Sequence, residues 1–195
     1  MAVTLDKGHV SLAKGETVSL VKADDALTRV RVGLGWDPAR SRFFGIRRSI
    51  DLDASALVFD AKGGVIDTIW FANLTGVGIR HHGDNLTGAG DGDDEVITID
   101  LAELPPRAQH VVLTINSYRG HTFDRVENAY CRLVDDRTDE ELVRYSLTES
   151  PRSTGMFMAI LSRVGSAWEM RALGIHHDGR TVREMTGRAS ALVGG

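Results

Sequence analysis

The stretch Arg29-Val30-Arg31-Val32-Gly33-Leu34-Gly35-Trp36, closed by Asp37-Pro38, sets the reading of the fold. It reads as a β-strand, and it stops at the proline because proline brings no backbone donor to a ladder. Segments of the same kind recur on both sides of it. Upstream, Leu5-x-Lys7-Gly8 leads to Val10-Ser11-Leu12, and Lys14-Gly15 leads to Val18-Ser19-Leu20. Both copies alternate apolar and polar residues around a Lys-Gly turn, the pattern of two neighbouring strands in a hairpin. Downstream, residues 51–60, 65–71, 96–101, 111–116, 129–134, 142–147, 156–163 and 168–175 are short apolar runs bounded by turn residues. Lys62-Gly63-Gly64 makes a tight turn, and Leu104-Pro105-Pro106 a stiff break. Met156-Phe157-Met158-Ala159-Ile160-Leu161 fits a short helix as well as a strand. Val182, Met185, Ala189 and Leu192 follow helical spacing and predict a C-terminal helix. About ten strands at regular spacing, without helices between them, predict an all-β chain: a β-sandwich of two mainly antiparallel sheets.

Bulk properties narrow the function classes. A chain of 195 residues suits one domain. A net charge of -4 argues against nucleic-acid binding through a basic face. The one cysteine, Cys131, has no partner for an internal disulfide, which fits a reducing compartment. The N-terminus lacks an apolar segment of signal-peptide length, and no run is long enough to span a membrane. A cytoplasmic, soluble protein is expected.

Gly83-Asp84-Asn85-Leu86-Thr87-Gly88-Ala89-Gly90-Asp91-Gly92-Asp93-Asp94-Glu95 carries the chemistry. Five carboxylates, an amide and a hydroxyl crowd one Gly-rich stretch without a Lys or Arg. Such crowding is costly unless a cation neutralises it, and oxygen-only donors suit a hard ion, Ca²⁺ before Mg²⁺. A second pair, Asp51 and Asp53, lies upstream, both on one side of a strand by alternation. The stretch is not an EF-hand: Asp91-x-Asp93 runs into Asp94-Glu95-Val96, and that register fails. A solvated acidic turn is the plainer alternative.

Other polar groups carry less. His81-His82 and His176-His177 are adjacent pairs, and neighbours on a strand point to opposite faces, so surface or turn histidines outweigh a zinc site. Ser117-Tyr118-Arg119-Gly120-His121 mixes catalytic side-chain types but has no nucleophile motif, and reads as a polar connecting loop. Gly33-x-Gly35 precedes no helix pattern and is not a dinucleotide loop. Cys131 reads as a buried structural thiol.

The acidic stretch resembles the signature of the TerD family of tellurite-resistance and stress proteins. Leu12-x-Lys14-Gly15-x-x-Val18-Ser19-Leu20, Val32-Gly33-Leu34-Gly35-Trp36-Asp37 and Asp51-Leu52-Asp53-Ala54-Ser55 resemble that family too. Asn116 to Phe123 and Val126 to Asp135 look most like its TerZ branch. The resemblance implies one TerD-like calcium-binding domain over residues 1–195, a two-sheet sandwich binding Ca²⁺ at one end. It implies no established catalytic activity. Its implied partners are other proteins of a stress-response assembly, with no nucleic acid and no membrane span. Carried over position by position, the implied ligands are Asp51, Asp53, Asp84, Asn85, Asp91, Asp93, Asp94 and Glu95, with backbone carbonyls from Leu74 and Gly88. Ser49 stands where many members carry an Asp, which implies a weaker or single-ion site. The basic loop from Arg40 to Arg48 lacks a long Gly-rich insertion, so no role of such an insertion carries over. A second reading from the residues is a metal-dependent enzyme acting on a phosphate or oxyanion. There the acidic cluster holds Mg²⁺ or Mn²⁺, and Arg47, Arg48 or Arg119 binds the anion.

Overall fold

A computed structural model describes residues 5, 9–22, 25–38, 51–83, 92–146 and 152–194. Its elements in chain order are β1 (Val10–Ser11), β2 (Thr17–Ser19), β3 (Val21–Lys22), β4 (Asp25–Ala26), β5 (Arg29–Pro38), β6 (Asp53–Phe59), β7 (Val65–Ile69), β8 (Thr75–Gly76), β9 (Ile79–His81), β10 (Glu95–Asp100), β11 (His110–Asn116), β12 (Val126–Asp135), β13 (Glu140–Ser146), β14 (Gly155–Val164), β15 (Ala167–His177) and α1 (Val182–Val193). One sheet runs β1-β13-β12-β5-β10-β9-β8, the other β2-β15-β14-β11-β6-β7, and β3-β4 form a small ribbon. Pairing is antiparallel except where β1 lies parallel to β13. The expected sandwich and C-terminal helix are present.

The core lies between the sheets. Val30, Val32 and Leu34 of β5, with Ile97, Ile99, Cys131 and Leu133 beside them, face Ala54, Ala56 and Val58 of β6 and Leu113 and Ile115 of β11. Burying this apolar area supplies the main driving force. The six-stranded sheet is covered on its outer side as well. Val182, Met185 and Ala189 of α1 close over Leu57, Phe59, Val112, Phe157 and Ile160. That second layer explains why Met156 to Leu161 read ambiguously: β14 is buried from Gly155 to Leu161 on both faces and shows no alternation.

The N-terminal hairpin expectation fails. β1 joins the seven-stranded sheet and β2 the six-stranded one, so the Lys14-Gly15 turn crosses between sheets. The two segments share a pattern because each is a half-buried edge strand, not because they pair with each other.

The outer face of the seven-stranded sheet carries charges instead of a helix. Arg132 clamps Asp93 with Nε and Nη2 at 2.7 and 2.9 Å. Its Nη1 donates to Glu141 at 3.1 Å, and Glu141 also accepts from Arg144 at 2.6 and 2.7 Å. The Arg144 guanidinium lies 4.3 Å from the Tyr130 ring centroid, and Tyr130 Oη donates to Gly92 O at 2.7 Å. Gly33 and Gly35 make this possible: a Cβ at either would overlap the Asp93 carboxylate or the Tyr130 ring. The Gly-x-Gly pattern is therefore a seat for two side chains from other segments.

The Arg144 and Arg132 guanidinium groups hold the Glu141 carboxyl down at about 2, against an ordinary 4.5. A depressed carboxylate stabilises the fold above its unfolded pKa and loses that contribution as pH falls through its folded one. Glu141→Gln should cost about 1–2 kcal/mol at neutral pH, after allowance for solvent screening. In urea unfolding, the gap to the wild type should shrink as pH drops from about 4.5 towards 2. A gap unchanged over that window would assign the loss to packing.

Candidate functional site

Three buried carboxylates stand at strand entries at one end of the sandwich. Asp51 and Asp53 stand at the entry to β6 and are 5% and 6% exposed; Glu95 opens β10 and is 1% exposed. Glu95 is paired with Leu34 of β5, so it faces inward. Its Oε2 accepts the Ala54 N–H at 2.5 Å, a hydrogen bond that runs from one sheet to the other. His81 Nε2 lies 3.4 Å from the same oxygen and 3.2 Å from Ala54 O. Arg119 Nε sits 3.1 Å from Asp51 Oδ2. Burying carboxylates this deeply is costly without compensating charge or donors.

The other acidic positions fall into different surroundings. Asp94 Oδ2 accepts the Trp36 N–H at 2.8 Å. Burial raises the Asp94 pKa; the Trp36 bond opposes this, and the Asp37 and Asp93 carboxylates add to the rise. Asp93, in the implied ligand set, points to the outer face and pairs with Arg132 and Tyr130. Leu74 is 43% exposed, and its carbonyl accepts the His81 N–H at 2.8 Å. Asp84, Asn85, Gly88 and Asp91 lie outside the described residues, as does Ser49. Among the described residues, no group of three or more His, Cys, Asp or Glu is arranged to hold a metal ion.

One residue at this end escaped the sequence reading. Asn116, the cross-strand neighbour of Asp53, is 1% exposed. Its Nδ2 donates to Gly179 O at 2.8 Å, while its buried Oδ1 accepts no hydrogen bond. An orphaned buried oxygen beside Asp53 fits an oxygen-seeking cation. Only cross-strand register, absent from a linear motif, could have exposed it.

The remaining polar candidates find structural places. His81 is buried at 2%, contrary to the surface reading, whereas His82 turns outward to Thr98 Oγ1 at 2.8 Å. Ser117 Oγ accepts the His121 N–H at 2.8 Å and closes its own turn, as expected of a connecting loop. Burial pushes the Cys131 thiol up to about 12, with the Asp93 carboxylate adding to the effect. No helix among the described residues is long and apolar enough to cross a membrane.

Comparison with known proteins adds to this geometry. The TerD domain family matches residues 9–185. The chain is 47% identical to tellurium resistance protein TerZ of Serratia marcescens over 183 residues, covering 90% of this chain and 94% of that one. It is 37% identical to general stress protein 16U of Bacillus subtilis (strain 168), covering 91% and 95%. A crystal structure of a telluride resistance protein (TerD) homologue from Streptomyces coelicolor A3(2) superposes with a TM-score of 0.69 at 26% identity, covering 84% of this chain and 98% of that one. With a matched domain across most of its length and this identity to TerZ, the chain belongs to the TerD family of tellurium-resistance and general stress proteins.

Proposed function

We propose that this protein is a calcium-binding, non-catalytic interaction module of a cytoplasmic tellurite- and stress-response assembly. The observation that carries the reading is the burial of three carboxylates, Asp51, Asp53 and Glu95, at the entries to β6 and β10. Carboxylates with nearby amide oxygen are the donor set of a hard cation. Asp51, Asp53, Glu95 and Asp94, with Asn116 Oδ1, are the described residues that would hold the ion, joined by Asp84, Asn85 and Asp91. The ion would supply charge neutralisation and link two strand entries from opposite sheets. Asp93 would act from outside, fixing the C-terminal anchor of the stretch through Arg132.

Calcium should raise the melting temperature above that in chelator, and above that in Mg²⁺. An ion at 100 times its Kd that binds only the native state adds about 2.7 kcal/mol. Superimposable melts in calcium and chelator would remove the reading. Asp53→Asn and Asp94→Asn should weaken calcium binding in calorimetry at least tenfold (about 1.4 kcal/mol), because ligand charge tunes affinity. Asp60→Asn, in a turn where Asp60 accepts the Lys62 and Gly64 N–H groups, should leave it unchanged. Equal losses at all three positions would indicate bulk electrostatics. If the ion presents a docking surface, pull-downs from cell extract should differ with and without calcium.

Tellurite reduction would need an accessible thiolate pair or a redox cofactor. The single, buried, high-pKa Cys131 supplies neither, so the purified chain should not reduce tellurite. An aromatic disulfide reagent should label Cys131 only after unfolding, and rapid labelling of the native protein would contradict its burial.

A further inference from the structure

Arg119 meets the carboxylate end from the loop that follows β11. Its side chain is 57% exposed, yet its Nε sits 3.1 Å from Oδ2 of the buried Asp51. Strand register delivers the loop to this place. Asn116, the last residue of β11, pairs with Asp53, the first of β6, and Asp51 stands two residues before that entry.

The loop is built to present the guanidinium. The Ser117 N–H donates to Thr154 O at 2.8 Å, and the Gly120 N–H donates to Ser117 O at 3.0 Å. The His121 N–H donates to Ser117 Oγ at 2.8 Å. Arg180 grips the Tyr118 carbonyl through Nε and Nη2 at 3.0 and 2.8 Å. Gly120 has φ +76°, a turn that a side chain would strain. The backbone is therefore held on both sides of Arg119, while its side chain reaches Asp51 from water. Moving that side chain away needs no rearrangement of the loop.

The contrast with Arg132 shows what such a pair is suited to. Arg132 is 28% exposed and clamps Asp93 through two nitrogens. That geometry makes a permanent anchor. Arg119 offers one nitrogen from a side chain twice as exposed. A pair open to water on one side is weak, but a carboxylate as buried as Asp51 is costly to leave without countercharge. A compact divalent ion brings twice the charge and orders no long side chain, so it outcompetes a guanidinium held in this way.

We propose that Arg119 competes with calcium for Asp51, so that the guanidinium neutralises this carboxylate at low calcium and swings into water as calcium rises. Arg119 thereby sets the calcium concentration at which the site fills. The inference rests on the calcium reading of the same site.

The test is calorimetry of the full chain with calcium, comparing wild type, Arg119→Gln and Arg183→Gln. Arg119→Gln should bind calcium about fivefold more tightly, the upper range for a half-exposed ion pair. Arg183, stacked 5.1 Å from the Trp70 ring centroid, controls for net charge, and Arg183→Gln should keep the wild-type affinity. Weaker or equal binding by Arg119→Gln would make Arg119 a support of the site or a bystander, and an equal gain in both variants would assign the effect to net charge; each overturns the inference while leaving the calcium reading intact. Wild type that takes up no calcium would remove that reading and the inference with it. A second readout is the Arg119 Nε–H signal in NMR, identified by its loss in Arg119→Gln. It should move on going from chelator to saturating calcium, and a signal that stays in place as calcium binds would overturn the competition.

Discussion

The carboxylate of Glu95 is the constraint around which this end of the molecule is arranged. It leaves one sheet, enters the interior and accepts a hydrogen bond from Ala54 of the other sheet, with the His81 ring against it. A two-sheet sandwich is held mainly by non-directional apolar burial, which tolerates sliding. A buried carboxylate tied to a particular N–H does not tolerate it, because a shift would leave charge in low dielectric without its donor. Glu95 therefore fixes the register between sheets where Asp51 and Asp53 also enter.

The two outer faces solve the remaining problem in opposite ways. The six-stranded sheet exposes Leu57, Phe59 and Phe157 outward and needs α1 as a lid. The seven-stranded sheet places Arg132, Arg144, Glu141 and Asp93 outward, where they neutralise one another. An ion network of this kind contributes modest stability pair by pair, but it positions groups well. Here it positions Gly92 and Asp93, the point where the acidic stretch re-enters the sheet.

Much of this was legible in the sequence, for identifiable reasons. Turn residues and short apolar runs exposed the strands, and Val182, Met185 and Ala189 exposed the helical face, because those signals are local. What depends on tertiary pairing was not legible. The Ala54–Glu95 bond joins residues 41 positions apart. Asn116 meets Asp53 only through β11–β6 register. The β1 and β2 segments look like a hairpin because an edge strand has the same pattern whichever sheet it joins.

The acidic stretch shows why a motif is not a site. Asp93, Asp94 and Glu95 are consecutive, and strict alternation would put Asp93 and Glu95 on one face, but the chain bends at Asp94 before β10 begins and turns them apart. Asp93 goes outward to Arg132, Glu95 goes inward to Ala54, and Asp94 stays at the rim on the Trp36 N–H. One run of charge thus serves three purposes: an anchor, a rim and a buried tie. A ligand set taken as the whole motif would count Asp93 twice, once for the ion and once for the arginine that neutralises it. Charge density in the sequence marks the region, and the local path of the backbone decides which way each of its carboxylates points.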